Sequence, residues 1–217
     1  IERLDSYDYA RLYNDLLSQT GASPRFTDED IRLFKDGSDP YGHPNTKWLD
    51  YIFRTGFMHK HNLNVSGGSE DVKYMASAGF LGQEGTMKNS DRQQFNIRTN
   101  LDIKLSDKFT MRTNMAFIHN QYSNPNASYG GGSGQLIRQA ARMAPWIPYK
   151  KEDGSYGSIS DGNPVAWLDI DSKVNYLQQN FSGVLAFDYH LLDGLTFTLQ
   201  GAYVTDVKET KDYRKEC

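Results

Sequence analysis

A strict alternation of apolar and polar residues over 95–105 is the feature that most constrains the fold. Successive side chains of a β-strand point to opposite faces, so a period of two predicts a strand with one apolar and one polar face. The length of the run matches the roughly 9–11 residues that a tilted strand needs to cross a bilayer. The apolar side holds Phe95, Ile97, Thr99, Leu101, Ile103 and Leu105, and the polar side holds Asn96, Arg98, Asn100, Asp102 and Lys104.

Five further runs share this period, and short turns join them in pairs. The six predicted strands span 58–66, 72–81, 93–105, 109–119, 176–191 and 195–205. The connections at 67–71, 105–108 and 192–194 are short and contain glycine, serine or aspartate, as tight hairpins do. Those at 82–92 and 120–174 are longer. The pattern predicts an all-β fold, an antiparallel up-and-down meander in which sequence neighbours pair.

Alternation alone does not separate a membrane-spanning sheet from a soluble sheet with one buried face. Two features favour the membrane. Arg98, Asp102 and Lys104 lie among amides on the polar face, as a water-filled lumen allows, and Phe95 and Phe109 stand near strand ends, where aromatic girdles lie. Short turns alternating with long loops are also typical of outer-membrane barrels. Six strands are too few to close, since single-chain barrels begin at about eight. We therefore expect an arc of a large transmembrane β-barrel, with short helices in long extracellular loops.

Residues 1–57 lack the period of two and are predicted to form a long extracellular loop with two short helices. Asp5 and Ser6 are candidate N-capping residues for the first helix. Thr27 with Asp30 is a variant of the capping box for the second helix, which Gly37 ends.

Residues 58–217 are predicted to form the partial barrel, interrupted by a long loop at 120–174. That loop contains Gly130-Gly131-Gly132 and a candidate helix from Gln135 to Met143.

Composition argues against several classes of protein. The formal net charge of -3 gives no sign of a nucleic-acid-binding surface. Hydrophobic residues are 38% of the chain, and no run approaches the roughly 18 apolar residues of a membrane helix. The one cysteine, Cys217, offers neither a disulfide framework nor a metal cluster. The chain begins at Ile1 without a signal segment, so we expect an excerpt or a processed product.

No arrangement in the sequence predicts catalysis, a cofactor or a metal site. His59 and His61 could share a strand face, but no third ligand accompanies them. Asp169 and Asp171 could contribute to a calcium site, although loop carboxylates are commonly solvated. The glycines near 130 lack the lysine of a phosphate-binding loop.

Four aromatic residues of the long loop are candidate contacts with a substrate or partner. Aromatic rings can stack on sugar rings, and they can also pack a loop on itself, which is the interpretation we favour. The four are Trp146, Tyr149, Tyr156 and Trp167.

Several blocks of the sequence are similar to the sequences of a known protein family. They are NTKWLD at 45–50, IFRTGF at 52–57, HNLNVSGG at 61–68 and YMASAGFLGQEG at 74–85, with weaker blocks at Ala144-Pro145, Asp153-Gly154, Asn163-Pro164 and Asp193-Gly194. Together they resemble the early barrel of SusC/RagA-type TonB-dependent transporters, and the resemblance covers nearly the whole chain.

This resemblance implies a barrel of roughly 22 strands around an N-terminal plug, of which the chain is an early arc without the plug. Members of the family lie in the outer membrane of Gram-negative bacteria and contact its lipid. They import oligosaccharides or peptides, with energy delivered through the TonB complex, and a SusD-like surface lipoprotein covers the mouth. In such a transporter the lumen-lining candidates are Asn96, Arg98, Asn100, Asp102, Arg112 and Asn114.

Two other functions compete with transport. A soluble carbohydrate-binding or adhesion module would bury the face from Phe95 to Leu105 in a β-sandwich core. A glycan-cleaving enzyme would need two positioned carboxylates, and we find no such pair in the sequence. If the chain is part of a transporter, loop length places the short turns in the periplasm and the long loops outside.

Overall fold

Six antiparallel strands form one sheet in the order β1-β2-β3-β4-β5-β6. They are β1 Met58–Gly68, β2 Val72–Glu84, β3 Asp91–Ser106, β4 Phe109–Pro125, β5 Lys173–Leu192 and β6 Leu195–Tyr213. The computed structural model describes residues 3–127, 131–157 and 162–214. Gly130 and Cys217 lie outside the described residues. The predicted all-β meander is confirmed, and the sheet is an open arc whose edges are β1 and β6.

The strands around the long loop extend further than the apolar alternation predicts. β4 continues to Pro125, and the loop therefore covers 126–172 instead of 120–174. Asn120 still lies opposite Gln178 in the strand register. Ladder hydrogen bonds join peptide groups whatever the side chain, so a strand can continue beyond its last apolar residue. Hydrophobic periodicity does not detect such an end.

Alternation gives the sheet two unlike faces. We call the face with Phe95, Ile97, Leu101 and Ile103 the outer face, and the face with Asn96, Arg98, Asn100 and Asp102 the inner face. Phe95 is 39% exposed and Ile97 is 40% exposed. Within residues 3–127, 131–157 and 162–214, the six strands form a single sheet, and no second sheet covers the outer face. The soluble sandwich requires that face to be buried, so the structure contradicts this alternative for the described part of the chain.

The short connections lie at one end of the sheet and the long segments at the other. In the β3–β4 turn, Lys104 Nζ lies 2.7 Å from Asp107 Oδ1. In the β5–β6 turn, Gly194 has a φ of 81°, a left-handed conformation that favours glycine. The alternation of short and long connections expected from the sequence is thus present.

The hydrophobic core lies in the long segments and not in the sheet. Among the residues that the structure describes, five helices form there: α1 Ser6–Gln19, α2 Asp28–Asp36, α3 Trp48–Ile52, α4 Gly132–Arg142 and α5 Pro164–Asp169. We call these helices and their connections the loop body. One buried cluster joins α3, α4 and α5, and a second joins α1 and α2. In the described part of the chain, no helix is long and apolar enough to cross a membrane.

The segment before β1 contains three helices, where the sequence predicts two. The third, α3, was missed because Lys47 at its N-cap makes no side-chain cap and five residues are too few to show a helical period. Tertiary packing stabilises this helix. Trp48 is 1% exposed and donates its indole N–H to the carbonyl of Ala144 at 3.0 Å, and Ile52 is fully buried.

The predicted signals for α1 and α2 are confirmed. The carboxylate of Asp5 accepts the backbone N–H of Asp8 at the start of α1. Thr27 and Asp30 form a reciprocal capping box at the start of α2, and Gly37 ends that helix with a φ of 66°. The candidate helix of the long loop is also present, as α4, whereas α5 was not predicted.

Segments far apart in sequence meet in the loop body. The backbone N–H of Thr46 donates to the carbonyl of Pro145 at 2.8 Å. The guanidinium of Arg3 donates to the carbonyls of Ala140 at 2.7 Å and Ala141 at 2.6 Å, at the C-terminal end of α4. A cation there is favoured by the helix dipole. The chain before β1 and the chain after β4 therefore pack as one unit.

Candidate functional site

All six residues predicted to line a lumen lie on the inner face. They are Asn96, Arg98, Asn100 and Asp102 on β3, and Arg112 and Asn114 on β4. The register pairs Asn100 with Asn114 and Asp102 with Arg112. Arg98, Asn100 and Asn114 border a shallow cavity of ≈ 310 Å³. The arrangement offers hydrogen-bond donors and acceptors to water or to a polar solute.

An ion pair on the inner face includes two residues that sequence analysis missed. Arg112 donates to both carboxylate oxygens of Asp188, at 2.7 Å and 2.9 Å, and Thr198 donates to the same carboxylate at 2.7 Å. Bidentate pairs of this kind are strong and fix side-chain geometry. Asp188 and Thr198 lie opposite each other on β5 and β6. Both residues are polar and lie between apolar neighbours, so the alternation of those strands could have placed them on the inner face.

A second cavity, of ≈ 470 Å³, lies on the inner face near the loop body. Arg92 and Asn120 line it, and Arg92 Nε donates to Asn120 Oδ1 at 2.8 Å. Tyr122 also lines it and stacks on Tyr176 with ring centroids 4.7 Å apart. This polar cavity was not predicted, because the apolar alternation of β4 stops near residue 119 while the strand continues to Pro125.

The four aromatic candidates of the long loop do not form one site. Trp146 packs in the cluster of α1 and α2, with its ring centroid 4.5 Å from that of Tyr9. Trp167 packs on the cluster of α3, α4 and α5. The hydroxyl of Tyr156 donates to Asp169 at 3.0 Å. These three are engaged in contacts within the loop body, and Tyr149 packs against the cluster of α3, α4 and α5 as well.

The fourth aromatic candidate, Tyr149, borders a cavity of ≈ 370 Å³ in the loop body. Its ring stacks on that of Tyr51 at 4.2 Å, and the Nζ of Lys150 lies 6.0 Å from its centroid. Tyr41 lines the same cavity and is 51% exposed. Burial raises the pKa of Tyr51, so its hydroxyl remains a hydrogen-bond donor at neutral pH.

His43, which also lines this cavity, bridges two carboxylates. Its Nε2 lies 2.9 Å from Asp30 and its Nδ1 lies 2.7 Å from Asp39. A carboxylate only accepts hydrogen bonds, so both ring nitrogens must donate and the ring must be the imidazolium cation. The hydrogen bonds to Asp30 and Asp39 raise the pKa of His43, and the hydrogen bond from His43 lowers the pKa of each carboxyl.

These shifts predict a pH-dependent stability for the segment 27–45. The raised pKa of His43 gives a contribution that is complete below the unfolded value near 6.5 and is lost as pH rises through the folded pKa. The lowered carboxyl pKa values give contributions that are lost only in acid. We expect this segment of the full-length protein to exchange backbone hydrogens more slowly than in His43→Gln at about pH 6, with the difference disappearing towards about pH 9. A difference that stays undiminished at the higher pH contradicts the imidazolium bridge.

The residues considered for metal binding do not form a cluster. Asp169 pairs with Lys88 at 2.9 Å, and Asp171 pairs with Lys173 at 2.9 Å. His59 and His61 do share a strand face, with ring centroids 5.3 Å apart, but two histidines alone do not make a metal site. Among the described residues, no group of three or more histidine, cysteine, aspartate or glutamate side chains is placed to hold a metal ion.

Comparison with known proteins relates the chain to large receptors. No family model matches it. It is 31% identical over 160 residues to TonB-dependent receptor P26 of Formosa agariphila, a match that covers 70% of this chain and 15% of that receptor. It is 31% identical over 197 residues to TonB-dependent receptor SusC of Bacteroides thetaiotaomicron, covering 78% of this chain and 19% of SusC. The chain thus spans less than a fifth of the length of these curated relatives.

Solved structures show the same relationship at the level of the fold. The RagAB peptide transporter matches with a TM-score of 0.67 and 14% identity, over 95% of this chain and 26% of the matched chain. The RagAB peptide importer in its open-open state matches with a TM-score of 0.65 and 16% identity, over 93% and 25%. The sheet and its helices correspond to part of one large β-barrel.

Proposed function

The chain is homologous to a segment of the SusC/RagA-type TonB-dependent receptors, and we propose that it forms an arc of the wall of an importer for oligosaccharides or peptides. These receptors are outer-membrane proteins of Gram-negative bacteria and not enzymes, so the segment belongs to the cell outer membrane. In this proposal the TonB complex supplies the energy, and a SusD-like surface lipoprotein covers the mouth. A matched solved structure is that of a peptide transporter, which supports a role in solute import.

The two unlike faces of the open sheet are the observation that carries the proposal. The outer face presents exposed apolar side chains, which are stable against lipid and costly in water. Phe109 and Tyr189 stack at 4.6 Å on this face at the turn end of the sheet, where an aromatic girdle meets the membrane interface. The opposite face presents amides and paired charges, which suit a wet interior.

The inner-face residues have distinct roles in this proposal. Asn96, Asn100 and Asn114 offer hydrogen bonds to a passing solute, and Arg98 adds a positive charge at mid-height. Arg112 and Asp102, which lie opposite each other in the strand register, are closer to the turn end. The segments 1–57 and 126–172 lie outside the cell, so the loop body stands at the mouth of the importer. Trp146, Tyr149, Tyr156 and Trp167 are all part of it.

Sidedness tests the proposal. In intact cells that express the full-length receptor, we expect an epitope tag after Ser23, between α1 and α2, to bind antibody from outside. A tag after Asp107, in the β3–β4 turn, should bind antibody only once the outer membrane is permeabilised, because short turns face the periplasm. Labelling of the Asp107 tag in intact cells would reverse the orientation and overturn the assignment of the loop body to the mouth.

A further inference from the structure

We propose that the cavity lined by Tyr41, Tyr51 and Tyr149 binds a pyranose unit of an uncharged oligosaccharide. This inference rests on the proposed function, since it places a solute-binding site in the loop body at the mouth of the importer. We call this the tyrosine cavity.

The shape and lining of the tyrosine cavity fit a small ring-shaped ligand. Its volume of ≈ 370 Å³ falls within the range of about 300–1,000 Å³ that is usual for small-molecule sites. Tyr51 is 40% exposed and Tyr41 is 51% exposed, although both rings are large and apolar. Tyr149 stacks on one face of Tyr51, and the remaining face of Tyr51, like the ring of Tyr41, can present a flat apolar surface to the axial hydrogens of a sugar. The hydroxyls of the same rings can bond to the hydroxyls of the ligand.

The charges around the tyrosine cavity favour an uncharged ligand. The imidazolium of His43 lies between the carboxylates of Asp30 and Asp39. The ammonium of Lys150 lies over the ring of Tyr149. The cations of His43 and Lys150 are offset by the carboxylates of Asp30, Asp39 and Asp50, the last of which acts on Tyr51, so no large charge of one sign is present to attract a strongly charged ligand.

The backbone around the tyrosine cavity argues against a peptide ligand. Extended peptides bind mainly through hydrogen bonds to free backbone groups. Pro40, Pro44 and Pro148 line the cavity and have no N–H to donate. The N–H of Thr46 already donates to Pro145, and Lys150 is already paired with Tyr156 in a β-bridge. The main-chain N–H groups of the three prolines and of Thr46 are therefore absent or engaged, which favours a ligand that binds through side chains.

Calorimetry on the purified full-length receptor in detergent tests this site. The probes are uncharged hexasaccharides of glucose, mannose, galactose and xylose, with an oligogalacturonate and pentaalanine as charged and peptide comparisons. We expect at least one uncharged glycan to bind, and both Tyr149→Ala and Tyr51→Ala to weaken it by about tenfold or more. Tyr149→Phe keeps the ring and should stay within about threefold of the parent protein.

The matched control is Tyr7→Ala. Tyr7 is also a half-buried loop-body tyrosine with a cation over its ring, that of Arg11 at 5.4 Å, but it lies outside the tyrosine cavity. It should leave glycan affinity unchanged. The proposal is overturned if no uncharged glycan binds or if Tyr7→Ala and Tyr149→Ala weaken glycan binding equally. It is also overturned if the cavity variants weaken the binding of pentaalanine and not that of a glycan. If cells take up peptides, and the cavity variants do so as well as the parent protein, then the proposed import function remains supported and only the proposed glycan site is contradicted.

Discussion

In the full-length receptor, Leu101→Arg should largely abolish folding into lipid vesicles. Leu101 lies on the outer face near mid-height, between Tyr74 on β2 and Thr113 on β4. In the proposed orientation this face meets lipid, and an arginine facing lipid at the bilayer midplane costs about 2–4 kcal/mol. The measurement is the yield of folded, protease-resistant receptor after dilution from urea into vesicles.

The neighbouring substitution Asn100→Arg is the matched control. It adds the same side chain one residue earlier, on the inner face opposite Asn114. A strand has a period of two, so neighbouring residues sample opposite faces of one wall at nearly the same depth. Asn100→Arg should fold normally and at most alter transport. If it proves the more damaging of the two, then the outer face does not meet lipid.

Trp48→Ala should destabilise the loop body by about 3–5 kcal/mol, the usual cost of removing a fully buried tryptophan. Trp48 is 1% exposed in the cluster of α3, α4 and α5, and its indole also donates to Ala144. We expect rapid cleavage of the segments 3–57 and 126–172 by protease added to intact cells. The strands should remain protected, because they contribute little to that cluster.

Trp167→Ala provides the comparison for this prediction. Trp167 belongs to the same cluster but is only half-buried. Its removal should leave a smaller cavity and a smaller loss of stability, since the cost grows with the volume left empty. Equal cleavage rates in the two variants would mean that Trp48 does not hold the cluster together.

The sheet could be predicted from the sequence because its rule is local. Each of the six strands contains a run in which apolar and polar residues alternate, and this period fixes which side chains of the run share a face. The caps at Asp5 and Thr27 are equally local. By contrast, α3 has no local signal and forms because Trp48 is buried against α4 and α5, which follow four strands later in the chain. The predictions from sequence are therefore confirmed for elements whose structure depends on residues close together in the chain.

The candidate sites divide in the same way. The six inner-face residues follow from alternation, whereas the bond from Thr198 to Asp188 depends on how β5 and β6 are aligned. The tyrosine cavity depends on a still longer connection, because Tyr51 and Tyr149 lie on opposite sides of four strands in the chain. Aromatic content identified Tyr149 as a candidate. Its partner could be found only once the fold brought the two segments together.

The loop body also closes a ring of chain. Helices α1, α2 and α3 precede β1, and α4 and α5 follow β4. The contacts of Arg3 with Ala140 and of Thr46 with Pro145 therefore join the two ends of the segment that contains β1 to β4. Like a cross-link, these contacts lower the conformational entropy of the enclosed segment. The entropic cost of closing such a loop rises only slowly with its length. Unzipping of β1 or β4 from the sheet is therefore coupled to the opening of a buried core. β5 and β6 lie outside the ring, and their resistance to unzipping depends on their own ladder of hydrogen bonds and on the bonds of Asn126 to Asp212 and of Ser172 to Tyr213, which join the end of β6 to the segment 126–172.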